Sequence, residues 1–302
     1  MFPTGRRGGK VLPKEILRKV KRIQLKVSRL SNDVISGHYV SAFKGVGIEF
    51  NEVRQYFPGD DIRSIDWNVT ARTGAPFVKR FVEERELTVM LMVDLSASQR
   101  FGTVNVLKSD LAAEISALLA FLAIKNNDKV GLLIFSDTCE RYLPPQKGRL
   151  HVLRVVREIL GYRPSGVKTN IQEALNFVNK VIKHRSIVFL ISDFLDDGFE
   201  KALKQITKHH DLIAININDP REYELPAVGL MELVDAETNA RVVIDTSSPA
   251  VRETIKQSAT ERFQKTLQLF KRNKVDVVEV STGQSYLEPL QKLFLKRQRR
   301  IH

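Results

Sequence analysis

Apolar positions along this chain follow two rhythms. From residue 87 onward, unbroken apolar runs of strand length alternate with longer stretches in which apolar residues recur every three or four positions. LTVMLMVD (87–94), KVGLLIFSD (129–137), SIVFLISDF (186–194) and DLIAININD (211–219) are runs of the first kind, the composition of strands covered on both faces. Between them, residues 104–126 place Leu107, Leu111, Ile115, Leu118 and Leu122 on one helical stripe, and helical spacing also fills 148–161, 170–184, 199–210, 249–273 and 286–299. VDVVEVST (275–282) reads as a last strand, ERYLPP (140–145) as a short edge partner, and LMELVDAETNARVVIDT (230–246) as a hairpin around its ETN turn. Alternation at this spacing closes through right-handed crossovers, so the pattern predicts an α/β fold with a doubly wound, mainly parallel sheet over 87–302.

The first third is patterned differently. Residues 1–13, with GRRGGK and two prolines, read as a flexible leader. Ile16, Val20, Ile23, Val27 and Leu30 then recur at helical steps among Lys and Arg, which predicts an amphipathic basic helix over 14–30. Docking of that stripe on the domain or a partner, and attachment to an anionic membrane surface, are both open. Residues 35–86 hold short strand-like pieces, aromatics and glycines, so the chain divides into 1–34 (leader and basic helix), 35–86 (a strand-rich segment) and 87–302 (the α/β domain).

Charge sharpens this division. The net charge of the 302 residues is +13, yet residues 1–30 carry ten Lys/Arg against one acid and residues 291–302 five against none, leaving 31–290 at −1. The body is neutral and the ends are basic, whereas a folded nucleic-acid-binding domain carries its basic face on the body. No aromatic residues interleave with the basic runs, which argues against base readout and leaves only salt-sensitive, sequence-blind association through the ends. A single cysteine, Cys139, excludes an intrachain disulfide and fits a reducing, cytoplasmic setting. It has no basic or histidine neighbour and reads as inert. No apolar run approaches the length of a membrane span.

Candidate chemistry gathers at strand ends. In an open α/β sheet, ligands collect beyond the carboxyl ends of the strands, where crossovers part in opposite directions. DLSAS (94–98) leaves the first strand and presents Asp94, Ser96 and Ser98 at alternate positions, on one side of an extended chain. GVKTN (166–170) enters a helix with Thr169, and ISDF (191–194) ends the third strand with Asp193. Two carboxylates and three hydroxyls form an all-oxygen set suited to Mg²⁺ or Mn²⁺. Taken singly, Thr169 also reads as a helix N-cap and Asp193 as a turn former. His209-His210 point about 100° apart on a helix, too far round to share an ion, and read as a solvated helix end.

The DxSxS pattern, the later Thr169 and the strand-end Asp193 resemble the metal-ion-dependent adhesion site of von Willebrand factor A domains. Upstream, GIEFNEVRQYFPGDDIRSIDWNVTARTG (47–74) resembles the signature of the bacterial family catalogued as domain of unknown function 58, through Glu49, Phe50, Arg54, Tyr56, Pro58, Gly59, Asp60, Asp61, Ile65, Asp66, Trp67, Ala71 and Arg72. The resemblance implies a von Willebrand A-like fold and a metal bound by Asp94, Ser96, Ser98, Thr169 and Asp193. It further implies a partner supplying an acidic side chain, with a MoxR-type AAA+ ATPase as that partner. Within the signature, Arg54, Asp60, Asp61, Arg63, Asp66 and Arg72 alternate in sign and read as a network bracing the segment on the domain, or as a docking surface; Trp67 reads as an anchor. No nucleophile–base pair stands out, so a non-enzymatic interaction module is expected. An Mg²⁺-dependent phosphatase would want an aspartate two residues after Asp94, where Ser96 stands.

Overall fold

The computed structural model describes residues 14–30, 33–43, 48–83, 86–103 and 106–301; the leader 1–13 lies outside them. Two helices open the described chain, α1 (Lys14–Leu30) and α2 (Asp33–Phe43). A small unit follows, in which β1 (Ile48–Gln55) pairs antiparallel with β2 (Phe77–Glu83) around the short helix α3 (Trp67–Thr73). The α/β body then runs β3 (Thr88–Asp94), α4 (Lys108–Lys125), β4 (Lys129–Phe135), β5 (Cys139–Gln146), α5 (Arg149–Gly161), α6 (Ile171–Val181), β6 (Ile187–Ser192), α7 (Glu200–His209) and β7 (Asp211–Asn218). It closes with the hairpin β8 (Leu230–Val234) and β9 (Arg241–Asp245), then α8 (Pro249–Arg272), β10 (Asp276–Ser281) and α9 (Leu287–Ile301).

The central sheet has six strands in the order β10-β7-β6-β3-β4-β5, parallel throughout except for the antiparallel edge strand β5. This is the doubly wound, mainly parallel arrangement that the strand–helix alternation predicts. Alternate residues of β3 supply both faces of the core. Val89, Leu91 and Val93 pack on one side with α4, α5 and α9, and Met90 and Met92 on the other with α6 and α7. Chain direction parts at β3, with β4 on one flank and β6 on the other, so the crevice lies beyond the ends of β3 and β6. Asp94 and Asp193 stand at those two ends.

α4 is buried on nearly every side because a further layer covers it. Ile23 and Val27 of α1 are buried in the same core, with Val20 packed against it. Lys19 reaches Asp110 (3.0 Å) and Lys26 reaches Glu114 (2.5 Å), both on α4. The apolar stripe of the basic helix is thus spent on the domain itself, while Arg18, Lys21, Arg22 and Leu25 face outward.

Residues 33–43 depart from the strand-rich expectation. Ile35, Tyr39, Ala42 and Phe43 fall on one helical face and are buried, with Tyr39 and Phe43 stacking edge-on against Phe294 of α9. Gly37 and β-branched Val40 weaken intrinsic helix propensity, and tertiary packing overrides it. From Ile48 on, the segment does contain strands. Among the described residues its ion pairs include internal ones: Arg54 grips Asp60 through two bonds of 2.7 and 2.8 Å, and Lys79 meets Asp66 at 3.3 Å. Asp61 and Asp66 cap the two short helices that follow them, accepting from the backbone N–H of Arg63 and of Asn68 and Val69. Trp67 is not an anchor. It is 67% exposed on the first turn of α3, and Arg63 and Arg72 are exposed as well. Nor is the second histidine of the pair solvated, because His210 is buried where the chain turns from α7 into β7.

Candidate functional site

Asp94 is the last residue of β3 and wholly buried. One carboxylate oxygen accepts the backbone N–H of Ser96 (2.9 Å), the other the hydroxyl of Ser192 (2.6 Å) at the end of β6. Burial, and next the charge of Asp193, push the Asp94 carboxyl up to about 7. Ser96 and Ser98 are buried beside it with hydroxyls 3.0 Å apart, so the alternation of 94, 96 and 98 brings three oxygen-bearing side chains to one place.

The loop carrying Thr169 is stapled to this tip. The backbone N–H of Ala97 donates to the Val167 carbonyl (3.0 Å), and that of Asn170 to the Ser136 carbonyl (2.8 Å). Glu140 accepts from the Ser136 hydroxyl and from the N–H groups of Ser165 and Gly166. Burial opposes its charge, yet these hydrogen bonds outweigh burial and hold its carboxyl below the usual range. A Cβ at Gly166 would lie 1.5 Å from the Asp137 carboxylate, so a larger residue there would have to displace that side chain. The N-cap of α6 is Asn170, whose side chain accepts from the Glu173 N–H. Thr169 is therefore released from capping, and its hydroxyl donates to Glu237 at the tip of the β8–β9 hairpin (3.0 Å).

Asp193 follows β6, and its side chain is only 3% exposed. It makes no turn of its own. Ser192 does that, its hydroxyl oxygen accepting the N–H of Phe194 (3.1 Å). Phe194 takes a left-handed conformation (φ 55°), a cost of about 1–2 kcal/mol that its edge-on packing against Phe270 of α8 helps to offset. One oxygen of Asp193 meets the ammonium of Lys108 (2.7 Å), while Oδ1 is buried without a hydrogen-bond partner among the described residues. Lys108, fully buried at the start of α4, also binds Glu222 (2.5 Å). Glu222 is fixed in turn by a reciprocal cap with Asp219, which accepts from Thr103 and Thr282. Burial pulls against the Lys108 charge, but Asp193 and Glu222 override it and raise its pKa.

Sequence reasoning missed Lys108, Glu222, Ser192 and Glu237. Lys108 did carry a signal: with Ala112, Ile115, Leu119 and Leu122 it shares the buried face of α4, where a lysine demands carboxylate partners. Glu237 had none, since the ETN turn predicts a hairpin but not where its tip lands.

These donors suit a hard cation. Among the described residues no group of three or more His, Cys, Asp or Glu side chains forms a metal cluster; the candidate donors along this edge are two carboxylates and three hydroxyls, of which Asp94, Ser96 and Ser98 are brought directly together. Lys108 is shared by Asp193 and Glu222, so among the described residues neither Asp94 nor Glu237 has an ion-pair partner. Burial, and the charges of Asp193, Asp235 and Asp196, drive the Glu237 carboxyl above its usual range against the Thr169 hydrogen bond. A buried carboxylate oxygen without a partner, among carboxylates that repel one another, is an environment a divalent cation would relieve.

The chain thus presents a doubly wound α/β sheet with oxygen-bearing side chains at its strand-end crevice. Residues 52–265 match the family described as "Protein of unknown function DUF58", and the chain belongs to that family. It is 35% identical over 244 residues to the uncharacterized protein Rv1480 of Mycobacterium tuberculosis, covering 80% of this chain and 76% of that one. An uncharacterized protein of Mycobacterium bovis matches to the same extent. Among solved structures, the conserved hypothetical protein BatB from Bacteroides thetaiotaomicron covers 70% of this chain and 99% of its own at 17% identity, with a TM-score of 0.45. The SpRpn10 VWA domain covers 68% and 93% at 11% identity, with a TM-score of 0.37.

Proposed function

We propose that this protein is a non-enzymatic interaction module whose contact with a protein partner depends on a divalent cation, Mg²⁺ or Mn²⁺. Asp94, Ser96, Ser98, Thr169 and Asp193 would hold the ion, directly or through water. The observation that carries this reading is the unpartnered, buried Oδ1 of Asp193 beside the equally buried Asp94 carboxylate. When bound, the ion supplies a Lewis-acidic point of attachment for an outside carboxylate. Two protein carboxylates do not complete an octahedral shell, so an Asp or Glu from the partner finds a place. The family resemblance favours a MoxR-type AAA+ ATPase as that partner, in the maturation or assembly of other proteins.

No helix among the described residues is long and apolar enough to cross a membrane. We place the protein in the cytoplasm, with the outward basic face of α1 (Arg18, Lys21, Arg22) available to an anionic membrane surface.

Capture from a cell extract on the immobilised protein, in Mg²⁺ and in excess chelator, tests the reading. A MoxR-type ATPase retained in Mg²⁺ and released by chelator, and not retained by Asp94→Ala, is the expected result. Equal retention in all three conditions would contradict it.

A further inference from the structure

The β8–β9 hairpin interrupts the crossover from β7 to β10 and stands out from the body. Its strands are largely exposed, with Leu230, Val242 and Val243 all more than half accessible. At its base, Gly229 (φ 84°) turns the chain, and Thr246 fastens it through hydrogen bonds to the Val228 N–H and the Gly229 carbonyl. Between the hairpin, α8 and the ends of β6 and β7 lies a cavity of about 550 Å³, lined by Leu233, Val242, Ala259 and Phe263 among others. A hairpin so sparsely packed has room to move as an arm.

Its tip, by contrast, is well formed. Asp235 accepts from the N–H groups of Glu237 (2.8 Å) and Thr238 (2.9 Å), and Asn239 takes the left-handed conformation that closes the turn (φ 57°). This turn delivers Glu237 to Thr169, one of the five candidate metal ligands. A carboxylate there, close enough to Asp193 to feel its charge, has the chemistry expected of a partner's acid. Independently, Asp193 offers Oδ1 without a hydrogen-bond partner among the described residues, although its other oxygen pairs with Lys108, so this edge has an oxygen free for a further cation.

We infer that Glu237 is an internal carboxylate ligand of the candidate metal site, so that the hairpin closes the site from within and a partner's Asp or Glu must displace it. This rests on the divalent-cation reading above. The hairpin then acts as a built-in competitor: partner affinity is lowered by whatever fraction of molecules is closed, and a contact that draws the hairpin aside raises it.

Full-length wild type, Glu237→Gln and Asp94→Ala separate the possibilities, with Mn²⁺ alone as the probe. Calorimetric titration gives affinity, water-proton relaxation reports the water ligands on bound Mn²⁺, and hydrogen exchange reads the hairpin amides over 230–245. Expected for Glu237→Gln are Mn²⁺ binding about tenfold weaker and higher relaxivity from an added water. Mn²⁺ should also slow hairpin exchange in wild type and not in Glu237→Gln. If Mn²⁺ binds wild type, fails to bind Asp94→Ala, and treats Glu237→Gln as wild type in all three measurements, the internal ligand is disproved and the metal reading stands. If wild type binds no Mn²⁺, both fall together.

Discussion

Lys108 and His210 are two basic side chains that burial treats in opposite ways. Lys108 keeps its charge because Asp193 and Glu222 both touch it. Among the described residues His210 has no such partner: neither ring nitrogen finds a hydrogen bond, and burial, with His209 and Arg185 adding to it, drives its pKa down to about 4. A helix C-terminus would favour the protonated ring, and here burial prevails. Its folded pKa lies below the unfolded value, so the unfolded chain binds more protons between the two. The stability linked to His210 is therefore fully present above about pH 6.5 and is lost as pH falls toward 4. His210→Leu should remove this dependence, so that urea unfolding of the variant loses less stability between pH 7 and pH 4.5, by on the order of 1–2 kcal/mol after solvent screening. Parallel curves for the two proteins would mean that the ring is already hydrated in the folded state. Neither environment could be read from residue type alone. His209 and His210 are identical in sequence terms, and only the turn into β7 buries the second.

Elements were legible where their pattern was long or continuous. The runs at 87–94, 129–137, 186–194 and 211–219 became strands because they are short, uninterrupted and rich in β-branched residues, which suits a sheet covered on both sides. The ETN turn was readable because Asn239 tolerates left-handed backbone. α2 was not readable, since its eleven residues include Gly37 and become helical through packing against α9. The basic helix α1 was visible as a helix, but its destination was undetermined, because one amphipathic stripe serves a membrane or a protein core equally well. Burial of Val27 settles where the stripe goes. Val27→Asp would place an unpaired carboxylate in that core and undock α1. Limited trypsin digestion should then cut at the basic residues of 14–30 at least tenfold faster than in wild type, an opening of about 1.4 kcal/mol or more. The body should stay intact. Unchanged cleavage would show that α1 is held by its lysine bridges instead.

For the molecule as a whole, the candidate site depends on three segments far apart in sequence meeting at one sheet edge. Asp94, Thr169 and Asp193 could be nominated because parallel strands in a doubly wound sheet end on the same side. Hydrogen bonds between the loops after β3 and before α6 draw two of these segments together, and Ser192 ties the third to Asp94. What the sequence withheld was long-range and electrostatic: Lys108 bracing Asp193 from 85 residues away, and Glu237 reaching Thr169 across 68. Such pairings follow from the tertiary fold: the apolar helix face around Lys108 signals a buried lysine but does not name its partners, and Glu237 leaves no local trace.

The central claim, that five oxygen-bearing side chains hold one hard cation, is tested most directly by anomalous diffraction from crystals of the full chain grown with Mn²⁺. The account predicts one strong peak within about 2.2 Å of the Asp94 carboxylate or the Ser96 and Ser98 hydroxyls, and none in crystals of Asp94→Ala. A wild-type map without a peak at the ends of β3 and β6, under Mn²⁺ concentrations that saturate other magnesium sites, would contradict it.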